Sequence, residues 1–270
     1  MTDRIDPLEE MEWPNGPRRH FRFRIRLRSL LWAVAIIGLS ISLLMPAMRS
    51  APEAARRAQC VNNLKQIALA LHQYQEEYRS LPPAYVAAED GTPMHSWRVL
   101  ILPFLDRNDI YEQYRFDEPW DGPNNRKLVD RNPTSYRCPA VRRSRWRFWN
   151  EPKTDDTLTS YVVLTGDETP FPASRATKLN EIPDGTSNTM MVVEANREIA
   201  VPWTAPRDIA PAEFIRLLNQ GKPESDRHSG GMNVAFADGS VRFLRKQTDR
   251  KTLEALSTAR GGEKIPADAY

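Results

Sequence analysis

The hydrophobic and polar positions in the first third of the chain follow a helical period. Residues 29–48 carry no charged side chain, and at about 1.5 Å per residue a helix of this length matches the roughly 30 Å hydrocarbon core of a bilayer. Between Glu53 and Tyr78 apolar residues recur every three or four positions, which predicts an amphipathic helix. Its packed face is expected to comprise Val61, Leu64, Ile67, Ala68 and Leu71.

The second half of the chain is patterned for strands. Runs of β-branched and aromatic residues bounded by turn residues predict strands at Ser160–Thr165, Thr189–Glu194, Met232–Ala237 and Val241–Leu244. The turn residues at 238–240 predict a hairpin between the last two strands. Shorter patterns predict helices at Trp97–Leu105, Asp109–Tyr114, Pro211–Asn219 and Arg250–Thr258, and a loop at Asp117–Asn132. A long N-terminal helix followed by antiparallel strands indicates a loop-rich α+β fold.

Charge is concentrated at the N-terminus, although the whole chain has a net charge of only +3. Seven arginines lie within residues 1–28, and only Arg49, Arg56 and Arg57 follow the uncharged segment closely. By the positive-inside rule, this difference places the N-terminus in the cytoplasm. A cleaved signal peptide is the competing interpretation, which the length of the apolar run disfavours. We therefore predict four regions: a cytoplasmic basic tail at 1–28, a transmembrane helix at 29–48, the extracytoplasmic half of the long helix at 49–80 and a globular α+β domain at 81–270.

The chain has two cysteines, Cys60 and Cys138. They form no CxxC pair and have no clustered histidines, so their spacing is not that of a zinc site. In an oxidising compartment they can form one disulfide, which would stabilise the fold by about 4 kcal/mol. Two separate buried thiols are the alternative. No cofactor and no metal site is predicted.

Several segments carry a family resemblance when they are taken together. The segments AIIGLSISLLMPA, EAARRAQCVNNLKQIALALHQYQ, SWRVLILPFLD, YRCP, TSYVVLTG, DGTSNTMMVVE and HSGGMNVAFADGSVRFL occur in this order. They resemble the bacterial family called domain of unknown function 1559, which also has a solute-binding-type label and whose members have a prepilin-type N-terminal helix. The resemblance covers about residues 30–260. Its terminal motif contributes His228, Gly230, Gly231, Asn233, Asp238 and Gly239.

The resemblance implies a pilin-like fold, anchored in the bacterial inner membrane by a single pass, with the C-terminal domain periplasmic or extracellular. The prepilin pattern has a glycine before the cleavage point, a phenylalanine after it and a glutamate at the fifth mature position. Here those positions hold Arg24, Ile25 and Ser29. We therefore expect an uncleaved, unmethylated protein that acts as a single-pass monomer or a minor component of a complex.

The motifs of common enzymes are missing, since the chain has no HExxH, GxSxG, Walker A or GxGxxG sequence. The leading expectation is a non-enzymatic pseudopilin-like protein whose partners are the inner membrane and other pseudopilin-like or secretion-system envelope proteins. The expected role of His228 is to cap backbone groups in a tight loop. An envelope hydrolase built around His228 and Asp238 is the less favoured alternative.

Aromatic and oxygen-rich segments suggest two further binding functions. A solute- or glycan-binding module would use the ring faces of Trp120, Trp146, Trp149 and Trp203. The arginines interleaved with aromatic residues at 142–149 resemble a nucleic-acid stripe, but the predicted compartment argues against a nucleic-acid partner. The oxygen-rich segment at 184–188 is expected to be a turn rather than a calcium site, because Asp184 supplies its only full charge.

Overall fold

The computed structural model describes residues 27–139, 156–195, 198–220, 228, 230–263 and 265. The chain divides into two compact units, Met1–Arg49 and Ser50–Tyr270. Helix α1 is assigned to Leu27–Tyr78. Within the described residues, no helix combines the length and the apolar character that a membrane crossing requires.

The second unit contains the C-terminal part of α1, and its packed face is largely as predicted. Leu64, Ile67, Ala68 and Leu71 are buried, while Val61 is half-buried. The helix ends at Tyr78, and Arg79 follows with a positive φ of 63°. The two prolines at 82 and 83 come shortly afterwards, in agreement with the predicted helix end.

A four-stranded antiparallel sheet forms the centre of this unit, with the order β3-β4-β5-β6. The four predicted strands are confirmed, with slightly different bounds: β3 Tyr161–Val163, β4 Met190–Glu194, β5 Gly231–Phe236 and β6 Val241–Arg245. Consecutive strands are neighbours throughout, and the hairpin between β5 and β6 is present. The α+β fold class with antiparallel sheets is therefore confirmed.

A second, smaller sheet is present that was not predicted from the sequence. Strands β1 Tyr85–Ala87 and β2 Pro93–Ser96 pair in an antiparallel hairpin. Both strands are very short, and the proline at 93 and the turn residues at 90–92 favour a loop in any single-sequence prediction. Only their mutual pairing makes them strands.

The short helices differ from prediction mainly at their ends. The predicted helix at Trp97–Leu105 divides into α2 Trp97–Leu100 and a 3₁₀ helix at Leu102–Leu105. Three others are observed as α3 Asn108–Tyr111, α4 Pro211–Gln220 and α5 Arg250–Ser257.

The prediction of a loop at Asp117–Asn132 is wrong in part, because Asn125–Arg131 forms a 3₁₀ helix. The buried amide of Asn125 holds this segment. Its Oδ1 accepts from the N–H of Arg115 at 2.8 Å, and its Nδ2 donates to the carbonyls of Arg115 and Pro119 at 2.8 and 3.0 Å.

The core occupies both faces of the main sheet. On one face, which we call the α1 face, residues of α1 pack with Tyr136, Tyr161, Phe171 and Trp203. On the other, the helix-pair face, α4 and α5 contact the sheet through apolar side chains. Strand residues alternate between the two faces, so Val162 and Val193 belong to the helix-pair face while Tyr161 and Val163 belong to the α1 face.

Candidate functional site

Four side chains of types that ligate metals meet on the α1 face of the sheet, at the end of β4. They are Cys60, Cys138, Glu194 and His228, and all four are buried. One ligand atom from each lies within 4.8 Å of the others. We call this group the Cys-Glu-His cluster.

The two cysteines of the cluster are joined in a disulfide, with Cα atoms 5.3 Å apart. The sequence left a disulfide and two separate buried thiols as alternatives, and the structure has the disulfide. Neighbouring groups hold both cysteine backbones: the N–H of Cys138 donates to Ser160 Oγ at 2.8 Å, and Tyr161 Oη donates to the carbonyl of Cys60 at 3.4 Å. The bond links α1 to the segment that precedes β3.

Glu194 is the last residue of β4 and is only 1% exposed. Removing an ionised carboxylate from water is costly unless its oxygens are hydrogen-bonded. Asn233 on β5 supplies two of these bonds: its backbone N–H donates to Oε2 at 2.8 Å, and its side-chain Nδ2 donates to Oε1 at 3.0 Å. Asn233 therefore fixes the position of the carboxylate.

His228 lies next to that carboxylate and is 2% exposed. Its Nε2 atom is 3.3 Å from Glu194 Oε1, while its Nδ1 has no hydrogen-bond partner within the described part of the chain. The prediction that His228 caps backbone groups is therefore wrong, because the polar contact of its imidazole is the side chain of Glu194 on β4. Sequence distance conceals this contact, since 34 residues separate the two.

Two glycines after His228 explain how the chain reaches this position. Gly230 has a φ of +88°, which favours glycine. At Gly231 a Cβ atom would collide with the carbonyl oxygen of Leu244 and press against the ring of Phe243. The start of β5 can thus approach β6 closely only without a side chain.

Asp238, the predicted partner of His228 in a hydrolase, lies at the opposite end of β5. The strand has six residues, so its first and last Cα atoms are roughly 17 Å apart at about 3.3 Å per residue. Asp238 is exposed, accepts a hydrogen bond from the N–H of Ser240 at 2.8 Å and lies 3.9 Å from Arg242. Gly239 beside it lies in the same turn, with a φ of +82°. The structure therefore does not bring together His228 and Asp238, on which the less favoured hydrolase hypothesis depends.

Glu194 is the one member of the cluster that was not predicted from the sequence as a site residue. One signal for it was present, because Glu194 is the single charged position in the apolar strand TMMVVE. A charge at the end of a strand is more often solvated, and only the pairing of β4 with β5 shows that this one is buried.

The predicted aromatic set for a sugar is not assembled by the described residues. Trp203 is fully buried, stacks on Tyr136 with centroids 6.1 Å apart, and donates its Nε1–H to the carbonyl of Val129 at 2.9 Å. Its assignment to a ligand site is wrong, because neither ring face is accessible. Trp120 is half-buried, and Trp146 and Trp149 lie outside the described residues, as does the arginine-rich segment around them.

The segment at 184–188 has the hydrogen bonds of a structural turn. Both carboxylate oxygens of Asp184 accept backbone N–H donors at 2.8 Å, one from Gly261 and one from Gly262. Asn188 Nδ2 donates to the carbonyl of Asp184 at 3.3 Å. Asp184 thus joins this turn to the segment after α5.

A buried ion pair between Arg98 and Asp208 shows by contrast a fully structural arrangement. Arg98 Nη2 lies 2.6 Å from Asp208 Oδ1, and the same carboxylate accepts from Val163 N–H at 2.9 Å and from Trp97 Nε1 at 3.2 Å. Arg98 Nε also donates to the carbonyl of Tyr161 at 3.1 Å. These bonds hold strand β3 in place and give both buried charged groups hydrogen-bond partners.

The first unit presents a different feature, a set of exposed apolar side chains on α1. Their exposed fractions run from 49% to 71%, and the residues are Leu30, Trp32, Val34, Ile36 and Leu39. Scattered single apolar side chains are ordinary on a protein surface, whereas these five lie within ten residues of one helix.

Comparison with known proteins gives one match. The sequence model of a family described as a protein of unknown function (DUF1559) matches residues 49–225. This range contains Cys60, Cys138 and Glu194, and it ends before His228. No curated protein and no solved structure matches the chain.

Proposed function

The chain belongs to the DUF1559 family, and from this premise we propose that it is a pseudopilin-like envelope protein, anchored in the bacterial inner membrane, that acts by binding or assembly. In this proposal residues 29–48 are the single-pass anchor, the N-terminus is cytoplasmic and the α+β domain is periplasmic or extracellular. Its partners would be the membrane and other pseudopilin-like or secretion-system envelope proteins.

The observation that carries the proposal is the distribution of exposed apolar side chains around α1. At about 100° per residue, Val34 lies about 40° from Leu30, while Leu39, Trp32 and Ile36 lie about 180°, 200° and 240° from it. All five are exposed. The exposed apolar side chains therefore lie on two opposite sides of this helical segment instead of forming one stripe.

Exposed apolar side chains on opposite sides of one helix favour a lipid environment over a single protein partner. One docked helix or sheet would cover a stripe of about 100° and leave the opposite side chains in water. A bilayer covers every direction, and the twenty residues 29–48 carry no charged side chain. The seven arginines within residues 1–28 support the cytoplasmic orientation of the N-terminus.

The chemistry of the described residues supports binding or assembly more than catalysis. The histidine most similar to a catalytic base, His228, has a disulfide and a hydrogen-bonded carboxylate as neighbours. Both sulfurs are oxidised, so neither supplies a thiolate nucleophile.

The test compares charge insertion in the proposed anchor with charge insertion elsewhere on α1. The double variant Ile36→Arg/Leu39→Arg places two arginines in the middle of the span, where each costs about 2.5–3.5 kcal/mol of insertion free energy. We expect the full chain to leave the carbonate-washed membrane fraction of expressing bacteria. Leu69→Arg is the matched control, because Leu69 is as exposed as Leu39, at 59% and 64%.

Membrane retention of the wild-type chain and of Leu69→Arg, with loss of the double variant, would support the proposal. A wild-type chain recovered mainly in the soluble fraction would overturn it. Retention of the double variant would also overturn it, because the anchor would then lie elsewhere.

A further inference from the structure

We infer that reduction of the disulfide converts the Cys-Glu-His cluster into a closed, four-coordinate zinc site. The ligands are the two cysteine sulfurs, His228 Nε2 and Glu194 Oε1. The oxidised chain keeps the disulfide, and the reduced chain binds the metal in its place. This inference does not depend on membrane anchoring.

The donor set is the first reason. Two thiolates, one imidazole and one carboxylate are all zinc ligands, and structural zinc sites are typically tetrahedral and closed to water. All four residues here are buried. Their sequence positions, 60, 138, 194 and 228, lack the compact spacing of zinc motifs, so only the tertiary structure brings them together.

The separation of His228 and Glu194 is the second reason. Their Nε2 and Oε1 atoms are 3.3 Å apart, which is long for a charge-assisted hydrogen bond of about 2.7–2.9 Å. Two ligands of a tetrahedral zinc ion at about 2.0–2.1 Å from the metal are separated by about 3.3–3.4 Å. The imidazole and the carboxylate therefore already have the spacing of two neighbouring ligands.

The sulfurs need a modest movement. Two thiolates at about 2.3 Å from zinc lie about 3.8 Å apart, so the broken disulfide has to open by less than 2 Å. All four ligand atoms are already within 4.8 Å of one another. Rotation of the two cysteine side chains can complete the site while the backbones keep their places.

Outer-shell contacts are present for three of the four proposed ligands. Asn233 holds Glu194 by two hydrogen bonds. Tyr161 Oη bonds to the carbonyl of Cys60, and Ser160 Oγ accepts from the N–H of Cys138. Such outer-shell contacts tune metal affinity by about 10- to 100-fold.

The reaction balances with a dithiol as reductant. The dithiol gives two electrons and two protons to the disulfide, producing two cysteine thiols and its own disulfide. Zinc binding then releases the two thiol protons, so a 2+ ion replaces two protons. This exchange leaves the net charge of the buried site unchanged, which avoids the cost of a new buried charge.

The experiment uses the purified full chain in mild detergent. The disulfide is reduced anaerobically with a phosphine, the reductant is removed, and Co²⁺ is titrated as a spectroscopic substitute for zinc. We expect one Co²⁺ per reduced chain, with the visible bands of tetrahedral cobalt and a thiolate-to-cobalt charge-transfer band, and displacement by Zn²⁺. The oxidised chain should show none of these signals.

Two variants and a matched control assign the ligands. His228→Ala and Glu194→Gln should each weaken Co²⁺ binding by about 10- to 100-fold or more. His95→Gln should leave it unchanged, because His95 is an equally buried histidine, 3% exposed, whose partners are Tyr114 and Phe116. Zn²⁺ should also slow alkylation of the two thiols in the reduced wild-type chain.

A folding control keeps the inference testable. If reduction lowers the helical circular dichroism or the Tm of the wild-type chain, Zn²⁺ should restore both, because a ligand that binds only the folded state stabilises it. Absence of stoichiometric Co²⁺ binding by the reduced chain would overturn the inference. Wild-type affinity in the His228→Ala variant, or no effect of Zn²⁺ on the reduced chain, would do the same.

Discussion

The two faces of the central sheet are equally buried but differ in chemistry. The helix-pair face is filled by aliphatic and aromatic side chains from α4, α5 and the strands, among them Phe214, Leu218 and Leu253. The α1 face combines apolar side chains with a disulfide, a buried carboxylate and a buried histidine. Apolar contacts are non-directional, whereas each buried polar atom requires a specific partner.

This difference identifies the α1 face as the one on which function can depend. A face packed only by apolar side chains tolerates exchange of one shape for another of equal volume. The polar groups of the α1 face have no such freedom, because Glu194 depends on Asn233 and His228 on the end of β4. Four predictions, in order of decreasing effect, test this difference between the faces.

The largest effect should come from a cavity on the helix-pair face. Leu253 on α5 is fully buried, and Leu253→Ala should lower the free energy of unfolding by about 2–5 kcal/mol, because it removes apolar contact and leaves a void. Leu253→Met conserves volume and should cost less than about 1.5 kcal/mol. Denaturant titration of the full chain measures both, and similar losses for the two variants would contradict the tolerance of this face.

Loss of the disulfide should be the next largest effect, now on the α1 face. Cys60→Ser/Cys138→Ser opens a cross-link between residues 78 apart in sequence, and should lower the free energy of unfolding by about 2–4 kcal/mol. Reduction of the wild-type chain without added metal should give a similar loss in the same titration. An unchanged unfolding midpoint in the double variant would show that the cross-link does not stabilise this face.

A change of equal volume should be tolerated poorly on the α1 face. Glu194→Gln keeps the shape of the side chain but replaces one acceptor oxygen with an N–H₂ group, which then meets donors from Asn233 or His228. A buried group left unsatisfied costs about 1–3 kcal/mol. Glu254→Gln, on the exposed surface of α5, is the control. If both variants unfold at the same denaturant concentration, the two faces do not differ as described.

The smallest effect concerns pH and the buried His95. Burial lowers the pKa of His95, and its hydrogen bond to the carbonyl of Phe116 only partly opposes this shift. The unfolded chain therefore binds a proton more readily, and stability falls as the pH drops through about 6.5 and below. We expect His95→Gln to reduce this loss between pH 7 and 5, measured as Tm against pH. An identical pH profile in the variant would remove His95 as its source.

Helices and strands with strong periodicity could be predicted from the sequence. The four predicted strands form the main sheet. Four of the five residues predicted to form the packed face of α1 are buried. In each case a local period reports which side of the element faces the core. The hairpin of β1 and β2 was missed because two strands of three and four residues carry too few positions to show a period.

The candidate site could be predicted only in fragments. The cysteines and His228 stood out by residue type, but residue type does not report which partners a side chain has. The sequence favours a backbone-capping role for His228, and its less favoured hydrolase hypothesis groups His228 with the nearby Asp238. The side chain instead contacts Glu194 on β4, while Asp238 follows the other end of β5. Trp203 was assigned to a ligand surface although it belongs to the core.

The α+β class, the strand positions, the family and the uncharged segment at 29–48 could all be predicted from the sequence alone. Each of them depends on a pattern or motif formed by residues close together in the chain. The tertiary structure alone decided that Cys60 and Cys138 are bonded, that Glu194 is buried and that His228 lies beside them. Those facts depend on contacts between residues 34 to 78 positions apart. Such contacts arise from the pairing of β4 with β5 and the packing of α1 on the sheet, which no local pattern of hydrophobic and polar residues specifies.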